Sequence, residues 1–598
     1  MIMQPEYKTF NEIIAFKLFR IPEYQRHYSW QEKHRRDLFD DIVKLRDIRE
    51  KDPTRTHFMA TFVCLNTQYR ETSGTDDFLI YDVIDGQQRL TTMVILLKAI
   101  SKALYELPSL VDEAKMLDVL LVKRNRLLII LQNNHDYPGI LRAYLENGHK
   151  PDKDKIKTEA DSNLNQAIIE CEAFVASFSD VSKLLQLIKN HIKCIFLELD
   201  DEGSAYTIFE VLNSRGLEVD CLDKCKSLLM GLLYEYAGGK DNDTFKELQH
   251  ELRRSWSEIY DYIGLRYIPG QEIVRFAATL RTTKEKGKPL SEEEALNFFK
   301  EDCTKDSDNE LKIKQIIDNT LWLAKIACRL KELYSSPRQK AVTSVTQARL
   351  LAVSIKLTER LSEEEKKKLL DQWERTTFKI YGLSGKDSRS NVGDYIRLAK
   401  KIQREPSLTY IDLLHEIAKI GKDTRIEDAV SQLLGRKNGY DGEQNELRYF
   451  FYRYEEYLAE KKDPYYKPNQ VAWDEIWKSD PNKSIEHILP QTLPPEPLPP
   501  DKMQDTDWRS CFTDSEHEDW KHSIGNLCLV PPHLQGTLSN NPFAIKLPIY
   551  KKINLLLLDE IVTDNNGRTR SKWDKVAIEH RRDKLIEFAI DHWKDLES

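Results

Sequence analysis

The stretch Asp82-Val83-Ile84-Asp85-Gly86-Gln87-Gln88-Arg89-Leu90-Thr91-Thr92 constrains this chain more than any other. Val83 and Ile84 close a short apolar run, Phe78 to Ile84, whose length and residue types predict a strand. Gly86 then turns the chain, and Met93 to Ile100 continues as an apolar helix. A strand that turns this tightly into a helix aims free backbone N–H groups, and the positive end of the helix dipole, at whatever occupies the turn. An anion fits there, phosphate first. Read alone, Asp85-Gly86 is also an ordinary turn and Arg89 an ordinary first-turn charge. The rest of the chain decides between the two.

The chain of 598 residues is too long for one core, and its length predicts about three or four domains. Its net charge of −8 argues against a surface coated in basic residues, but a local basic stripe suffices for nucleic acid. No apolar run reaches membrane-spanning length; Leu555 to Leu558 is only a short aliphatic knot. Met1 to Glu6 carries no basic leader or following apolar core, so a cytoplasmic protein with reduced thiols and no membrane partner is expected. The nine cysteines are scattered. Cys221 and Cys225, four apart on a predicted helix with no second pair, read as packing residues rather than zinc ligands.

The fold class expected is multidomain α+β and predominantly helical. Residues 1–235 form an α/β domain with a helical extension. Within it, Phe10 to Phe19 reads as an amphipathic piece and Arg20-Ile21-Pro22 as extended chain. The helix Gln31 to Arg49 follows, then strands His57 to Leu65 and Phe78 to Ile84 around a polar loop at Gln68 to Asp77. Helices are predicted at Met93 to Tyr105, Leu117 to Leu131, Asp161 to Phe178, Val181 to His191, Ser204 to Leu212 and Cys221 to Tyr236, with a strand at Cys194 to Leu199. Residues 236–475 are helical by periodicity and read as a connector; Gly385-Lys386 lacks the spacing of a phosphate loop. Residues 476–598 form the last domain: an apolar run around Glu486-His487, a proline-rich loop from Pro490 to Pro500, a strand at Ile524 to Pro531 and a closing helix from Trp573 to Trp593.

That last domain carries a recognisable chemistry. Neighbouring strand residues face opposite sides, so Glu486 offers a hard oxygen on one face and His487 an imidazole on the other. A phosphodiester-cutting enzyme can use a carboxylate to hold Mg²⁺ and a histidine to take a proton from water. Asn526 on the second strand could fix the tautomer of His487 through its side-chain carbonyl. Gln535 offers an amide oxygen to complete the metal site, with His533, Asn540 and Asn541 as neighbouring alternatives. The order His, then Gly-Asn-Leu, then polar residues entering a helix is that of the ββα-metal hairpin of HNH nucleases.

Here the sequence resembles the GmrSD family of modification-dependent (type IV) restriction enzymes. In the C-terminal domain the matching residues are Ser484 through Gln491, Trp520, Ile524-Gly525-Asn526-Leu527, Leu538-Ser539-Asn540, Pro542-Phe543, Lys546 and Tyr550. The N-terminal part resembles the ParB-like GmrS-type module at Ile21 through Arg26, Tyr28, Trp30, Val83 through Thr92, Phe209 through Asn213, Arg215 and Gly216.

The resemblance implies an N-terminal module that binds and hydrolyses a nucleoside triphosphate, GTP or ATP, and a C-terminal HNH module that cuts DNA. Carried over, Gln25, Arg26, Asp85, Gln87, Gln88 and Arg89 contact the nucleotide. His487 is the general base, Asn526 the orienting residue, and Glu486 and Gln535 the groups on a Mg²⁺ or other divalent cation. The chain departs from the family at Ala60, where glycine is common, and at Gln535, where asparagine is usual. Lys546, Lys551 and Lys552, with Arg568, Arg570, Lys572 and Lys575, form a cationic stretch for DNA; Tyr24, Tyr28 and Trp30 could wall a modified-base pocket, wall the nucleotide site or pack the core. The function expected is NTP-dependent or NTP-regulated DNA cleavage in anti-phage restriction, sensing modified phage DNA, with self-association left open. The alternative is a nucleotide-binding regulatory protein whose HNH fold binds DNA without cutting it.

Overall fold

A computed structural model describes residues 5–22, 25, 27–73, 76–123, 129–133, 139–199, 220–237, 242–264, 268–284, 287–342, 345–433, 440, 444–462, 469–493, 508–564 and 566–594. The expectations for Glu23, Tyr24, Arg26, the helix Ser204 to Leu212 and the motif Phe209 to Gly216 lie outside these residues. The chain divides into two compact units, Met1–Thr282 with Leu290–Lys331, and Thr283–Pro289 with Glu332–Ser598. The helical stretch expected as a connector is therefore shared between them. In the first unit the helices Gly270–Arg281 and Glu292–Thr304 pack on Cys221–Ala237. In the second, Lys400 Nζ donates to Lys284 O at 2.7 Å and secures the short excursion 283–289.

The first unit is built on a six-stranded mixed sheet. Its strands are β1 (Pro5–Thr9), β2 (Lys17–Ile21), β3 (His57–Ser73), β4 (Asp76–Asp85), β5 (Leu131–Asn133) and β6 (Ile192–Leu199), in the order β1-β6-β3-β4-β2-β5. β1–β6 and β3–β4 are antiparallel; β2–β4, β2–β5 and β3–β6 are parallel. Register is fixed by the buried face and by one cross-strand pair: Arg20 faces Asp82, and its guanidinium donates to both carboxylate oxygens at 2.6 and 2.8 Å.

Two expectations differ here. The polar stretch from Gln68 is hairpin rather than loop, because β3 runs on to Ser73 and β4 starts at Asp76. A bulge between Asn66 and Arg70, with Gln68 at φ 61°, absorbs the polar residues, and Thr67 Oγ1 donates across it to Ile80 O at 2.8 Å. The helix expected over Leu117 to Leu131 ends at Leu121, and Leu131 begins β5.

The helix Gln87–Tyr105 is buried on every side, from Leu90 through Leu104, which is what its all-round apolar sequence demands. It packs against the helices Val111–Leu121 and Glu159–Ala176. Its inward polar groups are paired: Lys98 Nζ and Ser101 Oγ donate to Asp118 at 2.9 and 2.7 Å. The helix Glu32–Lys51 is held by buried Arg35, which forks onto Glu170 at 2.7 and 2.8 Å.

Among the described residues the second unit is built of helices and two three-residue strands, β7 (Ile485–His487) and β8 (Leu527–Leu529), paired antiparallel with His487 opposite Leu527. The predicted strand Ile524 to Pro531 is shorter because Ile524–Asn526 forms a 3₁₀ turn. The aliphatic knot at Leu555 is a buried helix start. Leu556 N and Leu557 N donate to Glu455 at 2.9 and 2.8 Å, and burial nonetheless pushes that carboxyl up to about 7. Among the described residues no helix is long and apolar enough to cross a membrane.

Candidate active site

At the end of β4, Gly86 takes φ 91°, a conformation that glycine adopts cheaply. A Cβ there would lie 2.5 Å from Phe62 Cδ1, so the residue also permits the turn to lie flat on β3. Gly86 is the N-cap of the helix Gln87–Tyr105 and offers no side-chain cap, so the first N–H groups face the turn unclaimed by a capping side chain. Arg89 is exposed there and Asp85 half-buried.

The glutamines are used differently from expectation. Gln25 Nε2 donates to Ile84 O at 2.7 Å. Gln88 bridges the neighbouring segment, accepting from Ser29 N at 2.8 Å and donating to His27 O at 3.0 Å. Gln25, Gln87 and Gln88 are all buried. Gln25 and Gln88 thus tie their neighbouring residues to the turn, and Asp85 and Arg89 take no part in those bonds. Tyr28 and Trp30 belong to the hydrophobic core, with Tyr28 Oη and Thr92 Oγ1 2.8 Å apart, and Tyr28 also lines a cavity of about 400 Å³ beside His27, Ser29 and Tyr260.

In the second unit β7 presents Glu486 and His487 to opposite sides. Glu486, 3% exposed, accepts from Lys546 Nζ at 2.7 Å and from Tyr550 Oη at 3.2 Å. Burial pushes its carboxyl above the ordinary range, and the ammonium pulls it back. Lys546 also donates to His487 O at 2.9 Å and Ile488 O at 3.2 Å. With Tyr550 one helical turn on, it fastens the helix Phe543–Ile553 beneath the strand. The expected DNA contact at Lys546 is therefore corrected: the residue is 0% exposed and its donors are spent inside. Lys551 and Lys552, in the last turn of that helix, are exposed. Arg570 also turns inward, onto Ile561 O and Thr563 O at 3.2 Å each.

Asn526 is corrected as well. It is fully buried, and its amide makes four bonds: to Leu489 N (2.7 Å), Leu489 O (2.9 Å), Lys521 O (2.8 Å) and Trp573 Nε1 (3.1 Å). None reaches the His487 ring. Asn526 staples the chain just after β7, and Gly525 before it is required because a Cβ there would lie 2.2 Å from Ile578 O of the closing helix. Gln535, half-buried, donates from Nε2 to Ile485 O at 3.0 Å, which holds its short helix beside β7. Of the neighbouring alternatives, His533 turns away to Glu475 at 2.7 Å, and Asn540 and Asn541 are exposed.

His487 itself is 6% exposed, and burial together with the cations of Lys546 and Lys521 and the neighbouring His522 lowers its pKa to about 3. It is a neutral imidazole. Its Nδ1 lies 3.2 Å from the Gln491 amide nitrogen and its Nε2 3.0 Å from His522 Nδ1. Tyr440 packs edge-on against His487 at 4.7 Å and stacks on His522 at 5.7 Å. Sequence reasoning passed over His522 and Tyr440. Gln491 was within the resembling motif, but no spacing rule marks His522, two residues ahead of Ile524.

The divalent cation implied by the resemblance does not fit Glu486 in this arrangement, since an ammonium already occupies its carboxylate. Among the described residues no group of three His, Cys, Asp or Glu side chains converges to hold a metal ion. At the Gly86 turn the helix N-terminus has no side-chain cap and Arg89 is exposed, a donor set whose chemistry suits a phosphate.

A search of curated proteins returned no match. Two family models do match: that of the GmrSD restriction endonuclease N-terminal domain over residues 7–230, and that of the GmrSD restriction endonuclease C-terminal domain over residues 424–588. The first spans the sheet and the turn at Gly86, the second spans β7, β8 and the His487 cluster, and together they cover more than half of the chain. The chain belongs to the GmrSD restriction endonuclease family.

Proposed function

We propose that this protein is a DNA endonuclease of anti-phage restriction in which a nucleoside triphosphate held at Asp85–Arg89 governs cleavage at His487. The observation that carries the reading is the placing of His487 on β7 within the C-terminal family match, its Nε2 3.0 Å from His522 Nδ1, its Nδ1 3.2 Å from the exposed Gln491, and its backbone held by Lys546. A neutral imidazole is the form that accepts a proton from water attacking phosphorus. At the other site, Arg89 and the first-turn N–H groups would hold the phosphates of the nucleotide, and Asp85 would position the attacking water.

The test is cleavage of plasmid DNA, modified and unmodified, with Mg²⁺ or Mn²⁺ and with each triphosphate in turn. Wild type is expected to nick, His487→Ala to lose at least about 100-fold in rate, the scale of a general base, and Arg89→Ala to lose triphosphate hydrolysis. Undiminished cutting by His487→Ala sinks the assignment. The second reading, a DNA-binding hairpin that does not cut, draws on the ammonium at Glu486 and on Gln535 in the place of an asparagine. Retention of DNA without nicking by the wild type, under every metal and nucleotide condition, would favour it.

A further inference from the structure

His522 is the ring hydrogen-bonded to His487. The two face each other nitrogen to nitrogen, His487 Nε2 to His522 Nδ1 at 3.0 Å, with their planes at 81°. The roles in this bond follow from the opposite side of His487. Gln491 turns its amide nitrogen to His487 Nδ1 at 3.2 Å, and an amide nitrogen can only donate. His487 Nδ1 is therefore the acceptor. In a neutral ring the proton then resides on Nε2, and His487 donates to His522 Nδ1.

This geometry poses a problem for a base acting alone. Were His487 to keep a second proton, an imidazolium would sit buried, with the ammonium groups of Lys546 and Lys521 among its neighbours. His522 is half-buried rather than enclosed, and its outer face is stacked on Tyr440. Gln491, the partner of Nδ1, is exposed, so a reaction at Nδ1 requires only this surface amide to give way to water.

We propose that His522 is a positioning residue that acts through His487 and receives the proton His487 would otherwise have to keep. An attacking water loses its proton to His487 Nδ1 as its oxygen bonds to phosphorus. The proton on His487 Nε2 passes to His522 Nδ1 along the existing bond. One O–H bond, one N–H bond and the P–O bond to the leaving oxygen break; two N–H bonds and the new P–O bond form, and the leaving alkoxide takes its proton from solvent water. His487 ends neutral in the other tautomer, and the positive charge rests on His522. The scheme depends on the proposed role of His487 as the base.

The test uses full-length protein labelled with ¹⁵N in its histidine rings, with two-bond ¹⁵N–¹H correlations to read tautomers, and the plasmid assay alongside. In wild type the His487 ring is expected to carry its proton on Nε2. His522→Asn keeps an acceptor oxygen near the position of Nδ1 but cannot take up a proton. It is expected to preserve that tautomer and the melting temperature while slowing cleavage by about 100-fold, the low end of proton-transfer catalysis. His522→Phe, which fills the space against Tyr440 with no acceptor, is expected to lose both the tautomer and the rate. A His487 proton on Nδ1 in the wild type, or wild-type cutting by His522→Asn, overturns the proposal. If His487→Ala also cuts normally, the reading of His487 has failed; if His487→Ala is inactive while His522→Asn is not, only the role of His522 has failed.

Discussion

At the scale of single residues, this protein uses polar side chains as internal fasteners in places where a motif suggests chemistry. Lys546 shows the energetics. Its ammonium has no exposure and serves a carboxylate and two carbonyls, so removing it leaves Glu486 buried without its counter-charge. Breaking such a pair costs about 3–5 kcal/mol, whereas replacing both members by apolar residues can be nearly neutral. Lys546→Met should lower the unfolding free energy by about that amount in a urea titration. Adding Glu486→Leu should recover a large part of it; a double variant no more stable than the single one would refute the pairing argument.

His592 makes the corresponding pH prediction. Arg453 donates to its Nε2, and burial with the Arg453, Arg375 and Arg338 charges lowers its pKa to about 2. The folded pKa lies below the ordinary value of 6.5. The stabilisation is thus complete above pH 6.5 and is lost as pH falls, at about 1.4 kcal/mol per unit. His592→Gln keeps an acceptor for Arg453 but does not titrate. Between pH 6.5 and 5 the wild type should lose about 2 kcal/mol more than this variant. Parallel losses would show that His592 is not the acid-sensitive group.

At the scale of elements, what the sequence made legible was wherever pattern and burial agree. The strand–glycine–helix junction at Asp85–Gln87 and the apolar helix behind it follow from residue type alone, because φ 91° and an all-buried helix leave few alternatives. The polar hairpin at Gln68 was not legible, since its strands are held by backbone bonds and a bulge rather than by an apolar face. Nor was the role of Asn526: a motif asparagine that follows a candidate base looks like its orienting partner, and only the four amide bonds reveal a staple.

Gly525 ties that element to the closing helix Lys575–Trp593. Arg581 donates to Gly525 O and Leu527 O at 3.0 and 2.6 Å, and the backbone contact with Ile578 O leaves no room for a methyl group. Gly525→Ala must push the helix away from β8. The expected result is a loss of about 1–3 kcal/mol, the usual cost of overpacking, together with reduced DNA cutting and unchanged triphosphate hydrolysis. Hydrolysis that falls in step with cutting would mean that the damage is not confined to the C-terminal site.

At the scale of the whole molecule, charge is the remaining constraint. With 90 basic against 98 acidic residues, the protein as a whole repels DNA, so any affinity must come from a local patch. The structure removes Lys546 and Arg570 from the patch that sequence reasoning assembled and leaves Lys551 and Lys552 exposed on the helix that Lys546 fastens under β7. Each phosphate neutralised contributes about −0.9 to the slope of log K against log salt on duplex DNA. If these two lysines each hold a phosphate, Lys551→Ala with Lys552→Ala should weaken binding uniformly across sequences and make the slope shallower by about 2. Triphosphate hydrolysis in the absence of DNA should not change, because both lysines lie in the second unit and the Gly86 turn in the first. An unaltered slope would place the DNA-binding surface elsewhere on the molecule, and a lower basal hydrolysis rate would mean that the two units are coupled even without DNA.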